Sequence, residues 1–422
     1  MNRNPQEEMR RVVITGMGVI AANGQDLDTF WRSVRDGKSA GAMLSRFDVS
    51  KIPSKVAAEI REFDSSKYID PKHAKRLDRS LQYGVSAARL ATIDAGVNFE
   101  KINADRTGVI EGTSLSNNVS AYETQDAFLR KGYRGVGVSA LINGYSGSGC
   151  GEIANELGVK GHAITCSTSS SSGNDAMGYA LSMIRHEDVD VMIAGGSEAP
   201  FIESVWSIFC LNKVMTRHTD NPAGAMRPFD KTRDGFMLGE GAAYVVMEEL
   251  AHALGRGAKI YCEVLSHGRS CEAYHALAPH PDGIGVTRAL EKAIRTAGVH
   301  PSEVDYINAH GTATAANDVV ETRGIKKFFG DYAREVAVSS TKPVTGHLMA
   351  GAGALETVIC ALSLYHQEIP MTLNLTDPDP ECDLDYVAGK SRPYPVKIAV
   401  NLNCGFGGKN SCLVLGRYPP EK

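Results

Sequence analysis

Four short segments of this chain carry residues that could act together chemically. Ile164–Asp175 reads ITCSTSSSSGND. A strand-like entry runs into a serine-rich turn, and a helix follows with Ala176, Met177, Ala180, Leu181 and Ile184 on one stripe. A group at such a helix start faces unpaired backbone N–H groups and the positive end of the dipole, which stabilise a nucleophile or an oxyanion. Alone, the segment reads better as a serine cap than as a site. His310–Thr314 (HGTAT) follows the strand-like VDYIN and sets a histidine beside Gly311, placed to face a cleft. Ser339–Glu356 arranges Lys342, His347 and Glu356 around a glycine-rich turn entering a helix. A lysine and a glutamate paired there would tune the histidine. Asn403–Asn410 (NCGFGGKN) surrounds Phe406 with Gly405, Gly407 and Gly408, a loop that lets backbone approach a ligand. Each segment also reads as an ordinary turn or structural residue. Together they read as one site.

The elements around these segments alternate between β-rich runs and helices. Val12–Thr15 reads as a buried strand ended by a glycine turn, Phe30–Arg35 as a helix, and Asp190–Ala194, Tyr244–Met247 and Lys259–Val264 as strands. Val286–Ala297 carries an apolar helical stripe. Val304–Asn308 and Val336–Ser339 are strand-like, Leu355–Tyr365 is a helix apolar on most of its surface, and Ile398–Leu402 and Ser411–Leu415 close the chain as strands. The alternation predicts an α/β architecture with helices between more than one sheet. The expected division lies near Arg256, into halves 1–255 and 256–422.

Bulk properties narrow the function. The chain has 422 residues and a formal net charge of −4, which disfavours a nucleic-acid or other polyanion binder. No apolar run approaches the roughly 18 residues of a membrane span, and the polar start MNRNPQEEMRR is unlike a signal peptide. The nine cysteines include no CxxC pair, which argues against zinc and redox motifs and for reduced thiols in a cytoplasm.

The segments in combination resemble the β-ketoacyl-acyl-carrier-protein synthases, close to the ketoacyl synthase II type. RVVITGMGVI, DVMIAGGSEA, RPFDKTRDGFMLGEGA, INAHGTATAAND, SSTKPVTGHLMAGAGALE and NCGFGG carry the likeness, which covers nearly the whole chain. It implies the thiolase fold, a five-layered αβαβα pair of pseudo-repeated halves, in a cytoplasmic homodimer, and an enzyme given the broad label of an acyltransferase-family fold. It implies a Cys–His–His site with no metal and no cofactor of its own, handling acyl chains on the 4'-phosphopantetheine of an acyl carrier protein. By resemblance His310 and His347 are the site histidines, Lys342 and Glu356 support them, and Phe406 with Gly405 forms the gate. Thr312 and Thr314 contact pantetheine. Lys72, Lys75 and Arg76 stand where the family presents a basic docking patch, and Arg130, Lys131 and Arg134 form a second basic cluster that also reads as a solvated helix face.

The chain departs from that pattern at the nucleophile. Anchoring on Gly173 and counting back from DVDVMIAGG puts Ser170 at the cysteine's place, whereas Cys166 lies four residues too early. A thiol at a helix start is readily ionised, while a serine hydroxyl needs a dedicated base. Acyl loading is therefore expected to be slow or absent. Decarboxylation of a malonyl thioester needs no nucleophile, only donors for the enolate oxygen. This combination is similar to the serine-for-cysteine decarboxylases of polyketide β-branching cassettes, which turn malonyl-carrier protein into acetyl-carrier protein. Smaller departures are Leu277 for a pantetheine-binding threonine and Lys409 for the threonine of GGTN. Rival readings are a condensing synthase using Ser170 or Cys166, its Cys-to-Ser variant, and a non-catalytic partner resembling the chain-length factors. Such partners usually lack the two histidines kept here.

Overall fold

A computed structural model of the protein describes residues 9–115 and 117–419. The polar stretch noted at residues 1–8 lies outside them. Ten strands form the scaffold: β1 (Val12–Ala21), β2 (Thr107–Gly112), β3 (Ala163–Cys166), β4 (Val191–Glu198), β5 (Gly241–Glu249), β6 (Cys262–Cys271), β7 (Tyr306–Asn308), β8 (Ala337–Ser339), β9 (Ile398–Gly405) and β10 (Lys409–Gly416). Six helices matter to the site: α1 (Arg79–Asp94), α2 (Asn118–Lys131), α3 (Ser172–Arg185), α4 (Ile284–Ala297), α5 (Asn317–Phe329) and α6 (Ala350–His366).

The strand order exposes a repeat. The first five strands run β1-β5-β4-β2-β3 and the second five β6-β10-β9-β7-β8. In both halves the first strand pairs antiparallel with the last, the last pairs antiparallel with the fourth, and the remaining pairs are parallel. The two sets meet only where Val13–Ile14 of β1 pairs with Cys262–Glu263 of β6. Helices α3 and α6, each following the third strand of its half, pack on each other and on strands of both sets. Helix α1 covers the outer face of the first set, and α4, backed by α5, covers the second. The result is the five-layered αβαβα thiolase fold.

Burial follows from this layering. Residues Ala350 to Leu364 of α6 are all buried, as a helix between two sheets must be. The stripe Ala176, Met177, Ala180, Leu181 and Ile184 of α3 joins Leu355, Val358 and Ile359 of α6 in one apolar cluster.

Two strands differ from expectation. β1 does not stop at Thr15 in a glycine turn but continues to Ala21. Gly16 and Gly18 stay extended because α1 crosses them. A Cβ on Gly16 would lie 2.3 Å from the Ala91 carbonyl oxygen, and one on Gly18 2.0 Å from that of Ala87. The glycines serve close packing, not reversal. Likewise the strand expected from Lys259 begins at Cys262 and runs to Cys271, because it pairs along β10.

Candidate active site

The head of α3 sets the site. β3 ends at Cys166 and α3 starts at Ser172, so the chain turns between them across residues 167–171. Ser169 takes the left-handed conformation in this turn, φ 62°. Ser170 follows it, 3% exposed, with its Oγ 3.2 Å from Nε2 of His347. Cys166 points elsewhere. Its thiol donates to the Ser172 carbonyl at 3.4 Å, and burial, then the Asp175 and Glu111 carboxylates, push it up to about 12. It is a neutral thiol held against backbone, outside the residues that wall the cavity.

The histidines arrive from the second half. His310 follows β7, and its N–H and that of Gly311 donate to Glu321 of α5 at 2.6 and 2.8 Å. Buried Lys342 donates to the His310 carbonyl and to Glu356, and Glu356 also accepts from Asn403 Nδ2 at 2.6 Å. His347 stands nearly perpendicular to His310, ring centroids 5.4 Å apart, with Phe236 edge-on to it at 5.1 Å. The rings are 4% and 2% exposed. Burial holds both well below the usual histidine range, helped by the Lys342 cation and, for His310, by His347. At neutral pH each imidazole is uncharged and carries one N–H. With that proton on Nε2, His347 presents its donor toward Ser170 and the cavity. Both rings line the cavity, so each uncharged imidazole can offer one N–H to a group bound there.

The cavity has a volume of about 710 Å³ and is walled by Ser170, His310, His347, Thr312, Thr314 and Phe406 among others. Gly405 is needed for its shape, since a Cβ there would sit 2.6 Å from the Thr168 carbonyl oxygen. The loop carrying Gly405 and Phe406 thus lies directly on the Ser170 turn. Thr312 and Thr314 approach each other at 3.2 Å between hydroxyls on the opposite wall. Leu277 and Lys409 line the mouth, both exposed.

The structure therefore gathers Ser170, His310, His347, Lys342, Glu356, Gly405, Phe406, Thr312 and Thr314 around one pocket. Lys72, Lys75, Arg76, Arg130, Lys131 and Arg134 are exposed and not part of its wall. Arg130 pairs with Asp126 one turn back along α2. Two anchors escaped the sequence reading, Glu321 beneath His310 and Asn403 beside Glu356. Glu321 lies one turn beyond Asn317 and Asp318 of INAHGTATAAND, on α5, where an acid at helical spacing was the available signal. Two further wall residues, Cys404 and Met349, had no signal; Met349 takes φ 49° just before α6. Among the described residues no group of three or more His, Cys, Asp or Glu is arranged to hold a metal, and no helix is long and apolar enough to cross a membrane.

The chain matches two family models, "Beta-ketoacyl synthase, N-terminal domain" over residues 9–253 and "Beta-ketoacyl synthase, C-terminal domain" over residues 261–376. It is 40% identical to 3-oxoacyl-[acyl-carrier-protein] synthase 2 of Synechocystis sp. over 97% of this chain and 99% of that one. It is 41% identical to the protein of the same name from Coxiella burnetii, again over 97% and 99%. Among solved structures, the ishigamide ketosynthase/chain length factor aligns with TM-score 0.91 and 33% identity over 97% of this chain and 100% of that chain. A ketosynthase structure described as a type II PKS acyl-carrier protein in complex with its ketosynthase bound to the hexaketide aligns at TM-score 0.90 and 31% identity, over 97% and 100%. These matches are to ketosynthases, which replaces the broader acyltransferase-family label for the fold.

Proposed function

Since the chain belongs to the β-ketoacyl synthase family, we propose that it decarboxylates malonyl-acyl carrier protein to acetyl-acyl carrier protein in polyketide β-branching, without chain elongation. The observation that carries the reading is a hydroxyl, Ser170, 3.2 Å from a neutral His347 where a condensing enzyme needs a thiolate. A serine there has no base strong enough to ionise it, so transfer of an acyl group onto the enzyme is blocked.

The remaining parts of the site suit the other half of the family's chemistry. The pantetheine arm enters past Thr312, Thr314 and Phe406 and brings the thioester carbonyl against the His310 and His347 N–H groups. Loss of carbon dioxide leaves its electron pair on the α-carbon, delocalised onto the thioester oxygen as an enolate. The two donors meet that developing charge in a buried pocket, where each is worth roughly 3 kcal/mol. With no acyl-enzyme to attack, the α-carbon takes a proton and the acetyl thioester leaves. No cofactor enters these steps; the carrier's 4'-phosphopantetheine delivers the substrate.

The proposed partner is an acidic carrier protein docking at Lys72, Lys75 and Arg76, with Arg130, Lys131 and Arg134 as the second basic cluster. A cytoplasmic homodimer completes the reading. Two observations support the dimer: among the described residues β3 ends its sheet with an unpaired edge, and Leu129, Tyr133, Val138 and Leu141 are 73 to 97% exposed. The test is to incubate the protein with malonyl-carrier protein alone and follow the pantetheine-bound mass. Growth of the acetyl species above the enzyme-free rate supports the proposal. An unchanged malonyl species sinks it and favours a partner subunit.

A further inference from the structure

We propose that Asp175 and His267 form a buried strut between the two halves of the fold that fixes the Ser170 turn through Thr168, which makes Thr168, Asp175 and His267 positioning residues for the site hydroxyl. The inference rests on the reading that Ser170 is the residue facing the substrate.

The serine run explains itself once its hydrogen bonds are followed. Ser171 Oγ donates to the Thr168 carbonyl at 2.8 Å. Ser172 Oγ donates to the Ser169 carbonyl and accepts from the Thr168 N–H at 2.8 Å. Of the three consecutive hydroxyls from Ser170, only that of Ser170 is left to face His347. The turn is tied to itself, and it contains the left-handed Ser169, a conformation that persists only where neighbours over-determine it.

The tie continues downward. Thr168 Oγ1 donates to Asp175 Oδ2 at 2.6 Å. The other Asp175 oxygen lies 3.2 Å from His267 Nε2, a ring atom also 2.8 Å from Ser411 Oγ. His267 belongs to β6 and Ser411 to β10, both in the second half, while Thr168 and Asp175 belong to the first. The Asp175 and His267 side chains are only 5% and 7% exposed. The imidazole fits under α3 because residue 178 is glycine: a Cβ there would lie 1.9 Å from His267 Nδ1. Burial alone would raise the Asp175 carboxyl, but His267, Thr168 and Ser411 outweigh it and hold it below the ordinary range. A carboxylate kept charged in this interior makes strong hydrogen bonds, so its hold on the Thr168 hydroxyl is firm.

Two substitutions at Thr168 separate positioning from packing. Thr168→Val keeps the shape and loses the hydroxyl, while Thr168→Ser keeps the hydroxyl and loses a methyl. Each is placed in a Ser170→Cys background, where alkylation of the introduced thiol by iodoacetamide is followed by peptide mass. Thr168→Val is expected to slow that alkylation about fivefold, and Thr168→Ser to stay within about twofold. Equal effects of the two substitutions, or a larger effect from Thr168→Ser, overturn the strut. If Thr168→Val does not fold, His267→Gln against His267→Phe repeats the comparison from the other end, since only the amide offers a polar group to Asp175 and Ser411. The alkylation ranking stands whether or not the parent decarboxylates malonyl-carrier protein. A parent with no decarboxylation but the expected ranking overturns the proposed function and leaves the strut in place.

Discussion

Replacing His347 with alanine tests whether the site holds the proposed enolate. The ring is 2% exposed, walled by Phe236 and set against Ser170 at 3.2 Å, so few other donors can take its place. Its removal withdraws one N–H from the developing oxyanion, which at roughly 3 kcal/mol is about a hundredfold or more in kcat. Water admitted to the void recovers part of this, so a loss of about 50- to 500-fold is expected. KM for malonyl-carrier protein should hardly move, because the donor matters mainly in the transition state. His310→Ala should behave alike, and the double variant should lose less than the product of the two, since both act on one oxygen. His347→Gln keeps an amide donor near Nε2 and should recover part of the rate. The assay is quenched-flow conversion of the malonyl to the acetyl carrier species by intact mass, with thermal melts to show that each variant is folded. A loss under about threefold in both alanine variants would mean that the imidazoles do not hold the enolate. The pH profile adds a sign. Both rings are held well below the usual histidine range, so the neutral donors persist as pH falls from 8 to 6 and the rate should stay flat. A mechanism that needs imidazolium would instead accelerate about tenfold per unit of falling pH.

Other outcomes follow from the same geometry. Ser170→Cys places a thiol at a helix start beside neutral imidazoles and should give a covalent acyl adduct with an acyl-carrier donor, seen as an added acyl mass on the enzyme. Lys342→Ala leaves the His310 carbonyl and one oxygen of the buried Glu356 without a donor and should lower stability by about 3–5 kcal/mol in chemical denaturation. Glu111 is buried with one carboxylate oxygen unpartnered, and burial raises it to about 7, above its unfolded value. The stability its protonated form contributes is present at low pH and lost as pH rises through about 7. Glu111→Gln should therefore melt higher than the parent at pH 8.5, by a few degrees, and close to it at pH 5.5. Charge reversal at Lys75 and Arg76 should raise KM for the carrier substrate and flatten its salt dependence, leaving kcat near the parent's.

The sequence disclosed this site unevenly, for physical reasons. His310, His347, Lys342 and Phe406 carried only weak local signals, and it was the likeness of their segments to the family's motifs that joined them into one candidate site. The pairing of Lys342 with Glu356 was open to sequence reading only as one of two choices, a buried pair or solvated charges on a surface turn, and burial between the sheets decides for the pair. Glu321 and Asn403 were missed because they act through backbone and carboxylate contacts that only the folded chain brings near. The Asp175–His267 contact joins residues 92 positions apart in sequence number, on α3 and β6, and no local pattern announces it. β1 was cut short for a related reason. A glycine looks like a turn until a crossing helix shows that a missing Cβ is needed. The repeat of the two halves lives in strand order and direction, which many sequences satisfy, so self-comparison of the residues does not reveal it.

As proposed, the pocket expels carbon dioxide and captures no acyl chain. The most direct measurement mixes the protein with malonyl-carrier protein and a hexanoyl-carrier donor in one vessel and records intact masses of enzyme and carriers over time. The account predicts acetyl-carrier protein accumulating while the enzyme mass stays unmodified. A hexanoyl adduct on Ser170, or a β-ketooctanoyl product on the carrier, would contradict it.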